Sequence, residues 1–143
     1  MQYQKTANEY VIVLQQGENV IETLTRFCTE ENIENAYFRA MGAVEHVSCG
    51  YYALDEKRYY FKQYDQLLEV ASATGNIMLK EGVPFVHLHA IFTDTENNAF
   101  GGHVEEMRVG VTLEVILTPL ASSLTREHDD KIGLFLISCP QQA

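Results

Sequence analysis

The feature that most constrains this chain is a change of hydrophobic period at Ala36. Before it, Val20, Ile21, Leu24, Phe27 and Cys28 recur at i, i+1, i+4, i+7 and i+8, and the other faces of that segment carry Glu22, Thr25, Arg26 and Thr29. This is the apolar stripe of a helix. After Ala36 the period is two, and turn residues punctuate the chain at hairpin spacing, which reads as a sheet. One helix set against many short strands predicts an α+β domain: a mixed, largely antiparallel sheet of about seven to nine strands with one main helix packed on it.

The run Tyr10 to Leu14 predicts a strand ahead of the helix, and Glu18 is expected in the first helical turn, where the dipole favours a negative charge. The helix is expected to fade near Asn32. Strands are expected at Tyr37 to Val44, Ser48 to Leu54, Tyr59 to Tyr64, Leu67 to Ala73, Ile77 to Leu79, Pro84 to Phe92, Val111 to Leu117 and Ile132 to Ser138. Polar tips fall at 55–58 and 94–98. With no repeat, low-complexity tract or linker, residues 1–143 are expected to form one domain, with a frayed tail at 140–143.

Charge narrows the function. Twenty acidic against ten basic residues give a net charge of −10, which repels phosphate polyanions. Lys57, Arg58 and Lys62 form the local basic cluster, diluted by Asp55, Glu56 and Asp65, and read as a solvated hairpin tip. Cys28, Cys49 and Cys139 are odd in number and contain no C-x-x-C pair, which argues against a disulfide framework or a thiolate zinc site. No stretch approaches the roughly 20 apolar residues of a membrane helix, and the N-terminus has no apolar signal core, so a cytoplasmic location away from membranes is expected.

The concentrated chemistry is a histidine trio. His87 and His89 are two apart in an expected strand, so both rings project from one face. His103 follows the hairpin tip behind Gly101 and Gly102, glycines that open unusual backbone angles and close approach. Three neutral imidazoles with an open fourth position are the ligand set of an exchangeable or catalytic metal site. The same spacing also suits half-buried strand histidines bonded to backbone, or a metal-free pocket. His46 and His128 read as solvated turn residues.

Glu114 is an acid within a strand of valine, leucine and isoleucine. It suits a general base, a partner holding a histidine tautomer, a fourth ligand, or a solvent-facing residue. Arg39, between Phe38 and Ala40, suits a carboxylate ligand or subunit contact, or a head group reaching water. Gly-Lys-Ser/Thr, Gly-x-Ser-x-Gly and dinucleotide fingerprints are absent.

Several segments in order, Glu69 to Ile77, Pro84 to Ala90, Phe100-Gly101-Gly102-His103-Val104 and Thr112 to Ile116, resemble the plants-and-prokaryotes-conserved (PPC) domain. The likeness extends to Met41-Gly42-Ala43-Val44 and Leu124-Thr125-Arg126-Glu127 and covers nearly the whole chain. The resemblance implies a homotrimer with the strand histidines near subunit contacts. His87, His89 and His103 match the family's H-x-H and G-G-H positions, suited to a divalent metal, zinc foremost, and Glu114 matches its strand glutamate. Arg39, Gly101 and Gly102 are the expected ligand or subunit contacts. Plant members carry an Arg-Gly-Arg-Pro AT-hook that enters the minor groove, and there the domain serves assembly and partner binding. That hook is absent here, and the plant Gly-Arg-Phe-Glu-Ile-Leu segment appears as Gln66 to Ala71 without its arginine. No DNA-binding residue is assigned. The expected role is regulatory or partner-binding, through a metal or small ligand. The alternatives are a DNA-associated regulator, or a metal-dependent enzyme in which Glu114 moves protons.

Overall fold

A computed structural model describes residues 1–139. The strands are β1 (Gln2–Lys5), β2 (Tyr10–Gln15), β3 (Ala36–Ala53), β4 (Arg58–Tyr64), β5 (Leu68–Lys80), β6 (Val83–Thr93), β7 (Ala99–Pro119), β8 (Thr125–Asp129) and β9 (Leu134–Ser138), with helix α1 (Val20–Glu30) between β2 and β3. They form one nine-stranded sheet in the order β1-β2-β7-β3-β5-β8-β9, with β4 added to β3. β6 pairs with β5 on one edge and β7 on the other, closing a ring with β3. Every pairing is antiparallel except β5 with β8, so the sheet is mixed, as expected.

Helix α1 begins at Asn19, whose side chain accepts a hydrogen bond from the Glu22 amide, satisfying one of the orphaned first-turn donors. Glu22, not Glu18, is the acid of the first turn. Glu18 lies outside it, pairing with the N-terminal amine at 2.9 Å. The stripe Val20, Leu24, Phe27 and Cys28 is buried and packs over β6 and β7. It joins a core containing Phe38, Val86, Leu88, Ala90, Phe92, Leu113 and Val115.

Two expected breaks are absent: residues 37–54 run almost entirely within β3, and residues 68–80 form the single β5. The strand expected at Val111 to Leu117 extends back to Ala99 as the 21-residue β7. Register shifts take up the irregularities instead, between Ala40 and Gly42 and between Val70 and Ser72 among others. A bulge bends a strand without ending its ladder. The expected tail at 140–143 lies outside the described residues. Cys28 and Cys49 are buried and Cys139 is exposed, all three as free thiols. Among the described residues, no helix is long and apolar enough to cross a membrane.

Candidate metal centre

β6 turns Val86, Leu88 and Ala90 into the core, so His87 and His89 point out of its opposite face. The β6–β7 register places His103 directly across from His89. The three rings converge, with centroids 5.1 to 5.3 Å apart, and one nitrogen from each lies within 4.8 Å of the others. His89 is exposed, while His87 and His103 are half-buried.

The glycines before His103 act through space, not through unusual angles. A Cβ on Gly101 would overlap the Ala90 carbonyl oxygen, and one on Gly102 would overlap that of Gly50. Side chains here would push β7 away from β6 and β3 and carry His103 away from His89. Neither glycine has a left-handed φ.

Each half-buried ring has a distinct wall. Tyr59 of β4 stacks on His103 at 4.6 Å. Arg126 of β8 donates from Nη2 to His87 Nδ1 at 3.1 Å and to Asn76 Oδ1 at 2.8 Å, and from Nη1 to the Phe135 carbonyl at 2.9 Å. Burial, reinforced by the Arg126 charge and the neighbouring imidazoles, lowers His87 from the ordinary value to about 4. Burial and the His89 charge lower His103 to about 4, against the opposing pull of Glu105. Both rings are therefore neutral near pH 7, the form that a metal ligand needs; the His87 Nδ1 lone pair is engaged by Arg126, so His87 ligates a cation only where that hydrogen bond gives way. His103 Nδ1 is buried and has no hydrogen-bond partner among the described residues.

The unpartnered nitrogen and the convergent neutral rings fit a metal ion. An all-imidazole set suits zinc and its neighbours in the first transition row, and does not suit magnesium or calcium, which take oxygen ligands.

Glu114 does not join this group. It pairs with Met41 and Val13 and lines a groove with Arg39. Arg39, Thr74 and His89 form one cross-strand row, which puts the Arg39 and His89 backbones roughly 10 Å apart; Glu114 is one strand farther. Within one chain Glu114 is too distant to ligate the ion or move a proton there. Arg39 is exposed, without an ion-pair partner among the described residues. Gly101, Gly102 and His89 line a second groove with Ser72 and Thr74.

His46 and His128 are strand residues, not turn residues. His46 sits in β3 with its side chain 12% exposed and Nδ1 2.6 Å from Asp65. His128 sits in β8 against Phe135 and bonds Asp130. The expected basic tip is engaged locally: Arg58 pairs with Glu56 at 2.7 Å, Lys57 donates to the Asp130 carbonyl and Lys62 lies over Tyr64. Sequence reasoning missed Arg126, Tyr59 and Asn76. Arg126 was visible in Leu124-Thr125-Arg126-Glu127, but nothing in that segment points to His87.

Residues 1–121 match the family model described as the Plants and Prokaryotes Conserved (PCC) domain. No curated protein matches the chain. Among solved structures, one from Ralstonia eutropha JMP134, named a "putative DNA-binding protein", is 32% identical over 96% of each chain with a TM-score of 0.90. The plant- and prokaryote-conserved protein of Pyrococcus horikoshii is 27% identical over 99% of this chain and 96% of its own, with a TM-score of 0.87. A metal-containing protein of Archaeoglobus fulgidus is 28% identical over 95% and 97%, with a TM-score of 0.83.

Proposed function

This chain belongs to the Plants and Prokaryotes Conserved domain family, and from that footing we propose that it is a cytoplasmic homotrimeric module that binds a divalent metal, zinc foremost, through His87, His89 and His103 and serves a regulatory or partner-binding role. The observation that carries the reading is the convergence of three imidazoles from two paired strands, with ligand atoms within 4.8 Å. The Archaeoglobus neighbour, a metal-containing protein on the same fold, supports it.

His87, His89 and His103 would hold the ion, which would supply a positive charge and Lewis acidity there. The chain's own residues do the rest. β6 and β7 set the ring spacing, Tyr59 fixes one ring plane by stacking, and burial holds two rings neutral. Glu114 lies too far off within one chain to serve as the proton carrier of a metal enzyme, which favours a binding module over catalysis.

The trimer draws support from the outer face beside His89. Ile91 lines the groove beside His89, and Met41 and Val11 line the groove next to it with Arg39, the three being 51%, 60% and 38% exposed, apolar side chains of the sort that mark an interaction surface. Metal analysis of protein purified without a nickel column is expected to give about one equivalent of zinc per chain, lost in His89→Ala. Less than a tenth of an equivalent removes the metal assignment. Light scattering is expected to give a trimer, and a monomer at micromolar concentration removes that one.

The name of the Ralstonia neighbour favours a second reading, association with DNA. Against it stand the net charge of −10 and the engagement of Lys57, Arg58 and Lys62. A gel shift with mixed-sequence duplex decides: micromolar affinity that falls steeply between about 50 and 200 mM salt establishes DNA binding.

A further inference from the structure

Between the β8–β9 hairpin and the histidine rings lies a cavity of about 280 Å³. Its walls are largely apolar, formed by Phe85, Leu134, Phe135 and Leu136, and two cations face into the same space, Arg126 and Lys80. His87 and His103 form the wall shared with the metal centre. The guanidinium carbon of Arg126 sits 5.3 Å from the Phe85 ring centroid, and Lys80 Nζ sits 4.0 Å from that of Phe135.

Arg126 is 7% exposed. Every acceptor that it has is neutral: the Phe135 carbonyl, the Asn76 amide oxygen and His87 Nδ1. Its Nε is buried and has no hydrogen-bond partner among the described residues. Neither Arg126 nor Lys80 takes part in any ion pair among the described residues. A chain with twenty acids and ten bases could readily have placed a carboxylate here. Burying a cation without a counter-charge costs several kcal/mol, and clamping the β8–β9 hairpin requires hydrogen bonds but not a charge.

We infer that this cavity binds a small monocarboxylate with a compact apolar body, its carboxylate held by Arg126 and its body among Phe85, Leu134 and Leu136. A carboxylate supplies the counter-charge that the guanidinium lacks and accepts from the Nη1 hydrogen left over beside the Phe135 carbonyl, both Nη2 hydrogens being taken by Asn76 and His87. A phosphate dianion asks for more donors than one partly occupied guanidinium and one ammonium, and phosphate sites draw on helix N-termini or successive backbone amides. Helix α1, the one helix among the described residues, packs on the core face of β6, opposite the histidines. The volume falls at the small end of ligand pockets, which suits a ligand of about ten non-hydrogen atoms or fewer.

This names the ligand class of the metal site proposed above. It rests on that reading for a second anchor, because a carboxylate beside His87 and His103 also reaches an ion held by those rings. The guanidinium anchor stands without the ion.

Isothermal titration with benzoate, benzamide and inorganic phosphate, on chelator-treated and on zinc-loaded protein, separates the two readings. In the chelator-treated protein, benzoate is expected to bind at least tenfold more tightly than benzamide, its neutral isostere, and zinc is expected to tighten benzoate further. Arg126→Met is expected to raise the benzoate Kd tenfold or more and to leave the benzamide Kd unchanged. Should that variant not fold, Arg126→Lys keeps the charge and loses the planar guanidinium with its Nη1 donor, and is expected to weaken benzoate selectively. Equal affinity for benzoate and benzamide in both forms overturns the carboxylate site even where zinc binds, as does tighter binding of phosphate than of benzoate. If zinc fails to bind, the metal reading falls, and the benzoate-to-benzamide ratio in the metal-free protein still decides this one.

Discussion

Asn35 and His103 each carry a buried polar side-chain atom, and they differ in how completely the chain satisfies it. Asn35 is 2% exposed. Its Oδ1 accepts from Ser122 Oγ and the Leu124 amide, its Nδ2 donates to the Glu34 and Leu124 carbonyls, and its own carbonyl takes the Leu120 amide. This network fastens the segment after β7 to the start of β3. His103, with Arg126 only two residues beyond Leu124, leaves a buried nitrogen unpartnered on each side chain. Folding selects strongly against unpaired buried polar atoms, so a complete network signals a structural fastening and an incomplete one signals a place kept for a ligand.

The sharpest way to break this comparison is to damage the satisfied side. Asn35→Ala strips partners from Ser122 Oγ and from both backbone groups of Leu124, and is expected to cost about 3 kcal/mol, seen as a fall of about 10 °C in Tm. Zinc stoichiometry and the benzoate Kd should be unchanged. If metal loading collapses while the protein stays folded, the two regions are not separate and the distinction fails.

Next in size is the response to acid. His87 and His103 titrate near 4 in the folded chain against about 6.5 unfolded. Between those values the unfolded chain takes up protons that the folded chain refuses, so stability is complete above about pH 6.5, falls as pH drops toward 4 and levels below it. With solvent still reaching part of both rings, the total is expected to be about 2 kcal/mol for the metal-free protein. Chemical denaturation at a series of pH values measures it. A flat profile from pH 7 to 4.5 would show that the rings are not held neutral.

How much of this was legible in the sequence follows from the range over which each contact acts. The stripe from Val20 to Cys28 and the shared face of His87 and His89 depend only on local period, and both were readable. That His103 lies opposite His89 depends on the register across the tip at 94–98, which spacing alone leaves open. Glu114 has the same alternating context as the histidines, yet its register sets it beside Met41. β8 was missed because Thr125-Arg126-Glu127-His128-Asp129 is polar throughout, and it is held to β5 by a short parallel pairing at Leu79 and Lys80. Arg126 reaches His87 only through that pairing, 39 residues apart in sequence. The long β3 and β5 were split in the sequence reading because bulges and Gly75 resemble turns, although Gly75 lies where a Cβ would meet the Phe38 ring.

The smallest expected effect probes the unsatisfied side most directly. His103→Phe keeps a flat ring against Tyr59, where the present stack has an interplanar angle of 28°, and deletes the unpartnered Nδ1. Replacing a buried, unsatisfied polar atom by an apolar one of similar shape is close to neutral or stabilising. The metal-free variant should therefore melt within about 3 °C of the parent or slightly above it, while zinc binding is lost and the loss of stability between pH 6.5 and 4 roughly halves. A Tm more than about 5 °C lower would mean that the nitrogen already has a partner in solution. The imidazole at 103 would then be a structural residue of the same kind as Asn35, and the case for a ligand at this centre would have to rest on His87 and His89 alone.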